Sequence, residues 1–494
     1  MHTFSKWFAF AAGMFLTASF SARAAGRFEL PPRPPNIIFI LADDLGYGDL
    51  GCYGQKKIQT PNLDRLAAEG MRFTQCYAGS TVCAPSRSVL MTGQHTGHTR
   101  VRGNDPVVPL RAEDGTVAQL LKQRGYRTGL IGKWGLGDEN TDGTPGKKGF
   151  DEFVGFLNQT HAHQYYPTNI WRNDSVWLLD GNTNGLKGEY VHDLFARAGN
   201  NFVRVNKNFP FFLYLAYTIP HANNELGKKS GNGMEVPDDA PYSKETWPQP
   251  EKNKAAMITR LDADVGRMLD QLKALKIETN TVIFFSSDNG PHSEGGSVAK
   301  FFNSSGGLRG IKRDMYEGGL RVPMIVRWSG RIKPGAVSDF PWAFWDFLPT
   351  AAEIAGVKTP GGLDGQSVLP VLLGQEAKPH EYFYWEFHER GSKQAARMGD
   401  WKAVRIAPGK PLELYNLKTD LAEKHDLATK HPDVIAKMET IIKTARTEAK
   451  EWPLSAPTTK AGKIVGFLLC INPVSDFRLI RFVHYLARLG GWRA

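Results

Sequence analysis

Asn36-Ile37-Ile38-Phe39-Ile40-Leu41-Ala42-Asp43-Asp44 is the stretch from which the rest of the chain is read. It is a short continuous apolar run, the pattern of a strand buried on both faces of a parallel sheet, and it stops abruptly at two adjacent carboxylates. A second such run, Thr281-Val282-Ile283-Phe284-Phe285, ends in Ser286-Ser287-Asp288-Asn289-Gly290. Residues 127–133, 209–217 and 321–328 read as further buried strands, the first delivering Lys133 at its end and the second leading to Pro220-His221. Helices are expected between them. Residues 60–70 carry a cap, Pro61 in the first turn and a terminal Gly70; residues 114–124 close at Gly125. Residues 251–276 place Met257, Leu261, Val265, Leu269 and Leu272 on one side, and residues 345–355 stop at Gly356.

Alternating strands and helices predict an α/β fold: a large mixed, mostly parallel sheet sandwiched by helices. Residues 138–208, rich in Gly, Asn, His and aromatics with little periodicity, are read as loops over one face, and residues 223–250 as another loop. Beyond about residue 375 the texture changes. Residues 382–386 and 401–405 resemble antiparallel strands, followed by a helix from Pro432 to about Lys450, which predicts a smaller C-terminal α+β subdomain. The expected division is a signal peptide at 1–24, a catalytic α/β domain at 25–375, the subdomain at 376–455 and a tail at 456–494 with no assigned role.

Composition sets outer bounds. With 494 residues, 41% of them hydrophobic and 22% charged, the chain is an ordinary globular protein with room for a large core, neither disordered nor collagen-like. Lys6, an apolar run over 7–20 and Ala22-Arg23-Ala24 form a secretory signal with an Ala-x-Ala cleavage site, too short and too interrupted to anchor in a membrane. Export to a periplasmic or secreted location follows, with no stable membrane insertion after the signal is removed. Lys6, Arg23 and the basic stretch 461–494 carry more than half of the net charge of +11, which argues against a nucleic-acid partner while leaving room for a local anion pocket. Four cysteines, Cys52, Cys76, Cys83 and Cys470, are too few for a disulfide scaffold, and the absence of any Cys-x-x-Cys pair argues against zinc.

In an open α/β sheet the carboxyl ends of the strands share one edge, and ligands bind there. Asp43, Asp44, Asp288 and Asn289 are therefore expected to converge as an all-oxygen shell suited to Ca²⁺ or Mg²⁺. Cys83-Ala84-Pro85-Ser86-Arg87, inside 80–93, reads as a helix start: proline suits the first turn and Gly93 the stop. A reactive group placed there lies near free amides and the positive end of the helix, which favours an anionic substrate, and Arg87 adds a fixed forked cation.

Cys83-Ala84-Pro85-Ser86-Arg87 followed by Met91-Thr92-Gly93, together with Ala42-Asp43-Asp44, Gly132-Lys133-Trp134 and Ser287-Asp288-Asn289-Gly290, resembles the type I, formylglycine-dependent sulfatases. These arylsulfatase-like enzymes belong to the alkaline-phosphatase-like superfamily, and the resemblance runs in family order over roughly residues 36–450. It implies that a formylglycine-generating maturation enzyme converts Cys83 to Cα-formylglycine before folding. One hydroxyl of the hydrated aldehyde attacks the sulfur of a sulfate ester, and the other later loses its proton and expels sulfate. Asp43, Asp44, Asp288 and Asn289, with the modified Cys83, match the Ca²⁺ ligands. Arg87 matches the residue that holds the hydrate, Lys133 and Lys312 the lysines that contact the sulfate, and His221 the histidine that protonates the leaving oxygen.

One departure stands out: where many members read Gly-Lys-x-His-Leu-Gly, this chain has Gly132-Lys133-Trp134-Gly135-Leu136-Gly137. The loop from Gln159 to Tyr166 offers His161 and His163 as nearby replacements. With Trp171 and Arg309 they form the substrate-binding candidates, and the aromatics of this region favour a sulfated glycan over a small aryl sulfate. Two other readings stay open. A phosphonate or phosphate ester hydrolase would share the fold, and a secreted calcium-dependent glycan-binding protein without turnover would follow if Cys83 stays a thiol.

Overall fold

The computed structural model describes residues 33–456, so the signal read at 1–24, Cys470 and nearly all of the tail read at 456–494 lie outside it. The first half runs β1 (Asn36–Ala42), α1 (Pro61–Ala68), β2 (Met71–Tyr77), α2 (Cys83–Thr92), α3 (Val117–Lys122), β3 (Arg127–Lys133), β4 (Glu152–Phe156), β5 (Asn169–Arg172) and β6 (Ser175–Leu178). Next come α4 (Val191–Asn206), β7 (Phe211–Ala216), α5 (Asn224–Ser230), α6 (Gln249–Ala274), β8 (Thr281–Ser287), α7 (Glu317–Leu320) and β9 (Arg321–Trp328). Two short strands, β10 (Ala336–Ser338) and β11 (Trp342–Ala343), precede α8 (Phe347–Ala355) and α9 (Leu369–Leu372). The chain closes with β12 (Phe383–Phe387), β13 (Lys393–Met398), β14 (Trp401–Arg405), β15 (Glu413–Asn416) and α10 (Pro432–Thr444).

The large sheet has the order β10-β2-β9-β8-β1-β7-β3-β4-β5-β6, with β11 also on β2. β1 lies between β7 and β8, parallel to both, and β3 is parallel to β7 and β4. Because side chains alternate along a strand, β1 serves two cores. Ile37, Phe39 and Leu41 pack with residues of α2, α3 and α8, whereas Ile38 and Ile40 pack with residues of α1, α4 and α6. Burial on both faces is the physical reason the run is apolar throughout. β9 is buried along its whole length yet antiparallel to both β8 and β2, a direction that a uniformly apolar run does not encode.

The structure corrects four boundaries. Residues 138–208 are not loops alone: they hold β4, β5, β6 and the 16-residue α4. α4 buries Val191, Leu194, Phe195, Phe202 and Val203 against the sheet, and Gly199 sits in it because a Cβ there would come within 2.7 Å of Leu215. α5 interrupts the second expected loop. α3 is shorter than expected, because Thr116 and Gln119 form a reciprocal capping box that fixes its start three residues past Asp114. α10 ends at Thr444, before Lys450.

The second sheet, β12-β13-β14-β15, is antiparallel throughout. One face receives α10 through Val434, Met438 and Ile442, and the other joins the main core through Phe383, Trp385 and Phe387. Trp385 Nε1 donates to Ala78 O at 3.0 Å, tying this sheet to the segment that leads into α2.

The far end of α2 is held as firmly. Gly93 (φ 69°) caps it, and the amides of Asp364 and Gly365 both donate to Gly93 O. Just beyond, His95 N donates to Asp364 Oδ2 at 2.9 Å, and His95 Nδ1 accepts from Gly97 N at 3.1 Å, so the ring must be unprotonated at Nδ1. Burial pushes the His95 pKa down to about 4 against the pull of Asp364, with His98 adding to the fall and Glu386 opposing it. The folded pKa lies below the unfolded one, so protonation favours the unfolded chain and stability is lost as pH falls from about 6.5 toward 4, at a slope approaching ~1.4 kcal/mol per pH unit. Thermal melts between pH 7 and 4.5 should show this decline. His95→Asn, which keeps an acceptor for Gly97 N, should flatten it; an unchanged slope would remove His95 as the cause.

Candidate active site

Neighbouring strands β8, β1, β7 and β3 run parallel and finish at one edge, and the register there does the assembling. Ala42 pairs with Ser287, so Asp43 and Asp288 follow at the same level. Asp288 N donates to Ala42 O at 3.1 Å, Asp44 N to Asp288 Oδ1 at 3.1 Å and Leu45 N to Ser287 Oγ at 2.9 Å. Asp44 adopts φ 65°, a left-handed conformation uncommon outside glycine, at the tight turn that brings both carboxylates to the site. β3 ends in Lys133, directly after Gly132 (φ 115°), where a Cβ would fall 2.0 Å from Ala216 O; glycine is what lets β3 approach β7 so closely.

Cys83 is the first residue of α2 and is 2% exposed, its Sγ 3.2 Å from Asp43 Oδ1. Burial, then the charges of Asp288 and Asp43, raise its thiol well above the ordinary cysteine range. As a thiol this group is protonated and a poor nucleophile. One turn on, Arg87 is fully buried: Nη2 donates to Asp288 Oδ2 at 2.8 Å and Nη1 to Lys133 O at 2.8 Å. Lys133 Nζ donates to Asp43 Oδ2 at 2.7 Å and Lys312 Nζ to Asp44 Oδ2 at 2.8 Å. Burial alone would raise the Asp43 carboxyl, but the cations Lys133, Arg87 and Lys312 outweigh it and hold it well below the usual carboxylate range. Asp288 goes the other way, pushed up to about 7 by burial and by the charge of Asp43.

His221 follows the end of β7. Its Nδ1 lies 2.7 Å from Ala222 O, an acceptor, which fixes a proton on Nδ1 and leaves Nε2 to accept from Lys312 Nζ at 3.0 Å. Burial and then Lys312 hold the ring well below the ordinary histidine range, so it is neutral. His163 stacks on it, ring centroids 4.8 Å apart and planes 14° apart, with Nδ1 3.1 Å from Glu225. A cavity of about 460 Å³ is lined by Cys83, Lys133, His163, His221, Lys312 and Arg313, among others.

Below it, Asp43, Asp44, Asp288 and Asn289 are fully buried, and Asn289 Nδ2 donates to Asp44 Oδ1 at 2.7 Å. Asn289 Oδ1 has no hydrogen-bond partner among the described residues. Three carboxylates and a bare amide oxygen form a donor set that a hard divalent cation fits and a soft one does not.

Three of the expected binding residues lie elsewhere among the described residues. His161 packs edge-on against Phe156 at 4.8 Å. Trp171 lines a separate cavity with Asn140 and Pro145. Arg309 lies over the Tyr316 ring at 3.7 Å and donates to Tyr415 Oη and Glu423 O, joining its loop to the small sheet. Tyr165 is buried and donates to the carbonyls of Thr218 and His221, so it holds the backbone that carries the imidazole. The sequence reading missed Glu294, whose Oε2 is 3.5 Å from Lys312 Nζ and whose Oε1 is 2.6 Å from Arg313. Its signal was position alone, four residues past Gly290 on the turn that leaves β8.

A family model described as Sulfatase matches residues 35–357, and one described as N-sulphoglucosamine sulphohydrolase, C-terminal, matches residues 310–448. An N-acetylgalactosamine-6-O-sulfatase of Bacteroides thetaiotaomicron is 28% identical over 500 residues, covering 84% of this chain and 93% of that protein. Arylsulfatase A of Homo sapiens is 35% identical over 425 residues, covering 76% of each chain. The solved structure of Ps i-CgsB in complex with k-i-k-neocarrahexaose is similar with a TM-score of 0.74 at 30% identity, over 90% of this chain and 98% of that one.

Proposed function

The chain belongs to the sulfatase family and is a sulfuric ester hydrolase; from that premise we propose that it is an exported enzyme that removes sulfate from a carbohydrate, using a Cys83-derived formylglycine and a bound Ca²⁺, with Mg²⁺ as the alternative ion. The observation that carries this reading is the convergence of Cys83, Lys133, Lys312 and His221 on one cavity above a buried carboxylate shell. Two relatives support a sugar substrate, one named for N-acetylgalactosamine 6-O-sulfate and one bound to a neocarrahexaose. The secretory signal at 1–24 supports export, and the catalytic part is taken as 25–375 with a subdomain at 376–455.

Asp43, Asp44, Asp288 and Asn289 would hold the cation, whose positive charge favours an anionic oxygen at the nucleophile. A hydrated formylglycine at position 83 would supply a nucleophilic hydroxyl for the sulfur and a second hydroxyl as the proton-bearing group needed to release sulfate. The rest falls to ordinary side chains. Lys133 and Lys312 bind the sulfate oxygens, where charge is concentrated as the S–O ester bond breaks. Arg87 holds the start of α2 against Asp288, keeping the nucleophile position fixed. Because Nδ1 of His221 is tied to Ala222 O and Nε2 carries no proton of its own, the proton for the leaving oxygen starts on Lys312 Nζ, 3.0 Å from Nε2, and Nε2 relays it.

The test compares kcat/KM on sulfated saccharides, phosphate diesters and phosphonate monoesters. Sulfate esters should lead by about 100-fold or more, the scale of one well-placed electrostatic contact. Chelation should abolish turnover, and added Ca²⁺ should restore it. A preference for phosphorus esters would overturn the reading, and full activity in chelator would remove the cation from it.

A further inference from the structure

We propose that Gln159 is a specificity residue that hydrogen-bonds, through both atoms of its amide, to hydroxyl groups of the sugar carrying the sulfate; this rests on the carbohydrate reading above. Past Lys133 the pairing of β3 with β4 continues, Trp134 N donating to Phe156 O at 2.9 Å and Gly135 N to Leu157 O at 2.8 Å. That extension carries Gln159 alongside Gly135. Gly135 has φ 78°, and a Cβ built on it would lie 1.9 Å from Gln159 Nε2. The glutamine amide therefore occupies the space that a side chain at position 135 would need, and any such side chain would push the end of Gln159 aside. Gly135 and Gln159 line the same cavity as Cys83, Lys133, His221 and Lys312.

The amide is unusual in a second respect. Both Nε2 and Oε1 are out of solvent and neither has a hydrogen-bond partner among the described residues; a turn about the last torsions of this flexible side chain presents both to the cavity that it lines. Buried polar groups are rarely left bare, and a bare pair lining the reaction cavity is free to take a partner from a bound molecule. The chemistry of the missing partner follows from the amide itself, which offers donors on one side and an acceptor on the other. Sulfate oxygens only accept, so a sulfate at this point would leave Oε1 facing an anion. A sugar hydroxyl both donates and accepts, and two neighbouring hydroxyls satisfy the amide completely. A side-chain amide does not ionise near neutral pH, so Gln159 serves as neither acid nor base. Its contribution is to recognise the ring.

The experiment measures kcat and KM of wild type, Gln159→Ala and Gln159→Met on a panel of monosaccharide sulfates and on 4-nitrophenyl sulfate, which has no hydroxyl groups to offer. Both variants should lose about 10–100-fold in kcat/KM on the best saccharide, mostly through KM, with a loss at least tenfold smaller on the aryl ester. Neither should melt lower than wild type, since each removes an unpaired buried amide; Gln159→Met also keeps the volume. Equal losses on both substrate classes overturn the assignment and place the amide at the reacting group, and no loss on either removes Gln159 from substrate contact. A wild-type enzyme that cleaves no saccharide of the panel overturns the carbohydrate reading and this one with it.

Discussion

Cys83→Ala is expected to fold normally and to release sulfate at a rate lower by about 10⁴-fold or more, the scale on which removing a covalent nucleophile acts. The side chain is small, 2% exposed and, among the described residues, hydrogen-bonded only to Asp43 Oδ1, so its loss leaves a shallow void beside a carboxylate that Lys133 already holds. The thiol itself does not explain activity, because burial and two flanking carboxylates keep it protonated. The companion measurement is the mass of the peptide containing residue 83 from an active preparation. An aldehyde or its hydrate is expected. An unmodified thiol in an active enzyme, or sulfate release by Cys83→Ala, would refute the nucleophile assignment.

Arg87→Met should be the most damaging single change to stability, lowering it by about 3–5 kcal/mol, the range for removing one partner of a buried ion pair. Arg87 is fully buried and its guanidinium touches Asp288, Asp43 and the carbonyl of Lys133. Methionine fills the same volume without charge, so the loss reports on electrostatics and not on a cavity. Asp288, already pushed up to about 7, would be left beside Asp43 with no cation of its own. Melting in chelator and again with Ca²⁺ separates two effects: an ion bound by the same carboxylates should recover part of the deficit. A melting temperature within a degree of wild type in chelator would show that the pair is dispensable.

How much of this was legible in the sequence depends on whether a feature is local. The carboxylate shell was legible because β1 and β8 are apolar runs that each break into oxygen-bearing residues, and parallel strands bring their ends to a common edge without further information. α2 was legible from Pro85 near its start and Gly93 at its end. α4 was not, although its apolar positions repeat with helical spacing. Gly199, Asn200 and Asn201 dilute its composition, and the glycine is there for the sake of Leu215, a residue of another element. Trp171 and Arg309 looked like binding residues because aromatic and cationic side chains serve packing and recognition equally well. Only the positions of Tyr316 and Tyr415 reveal that Arg309 is engaged elsewhere. The relation between Gly135 and Gln159 was invisible for the same reason, since it exists only once β4 lies beside β3.

The pairing of β1 with β8 also has a consequence in time. Asp44 and Asp288 are 244 residues apart, so a ribosome adding about 5–20 residues per second needs roughly 10–50 s to travel from one to the other. During that interval the segment bearing Cys83 has emerged while the wall formed by Asp288 and Asn289 has not yet been synthesised. Once β8 docks, the sulfur is closed off at 2% exposure. An enzyme that modifies Cys83 has to act before β8 docks, and placing a central strand first and its neighbour late in the chain is what delays that docking.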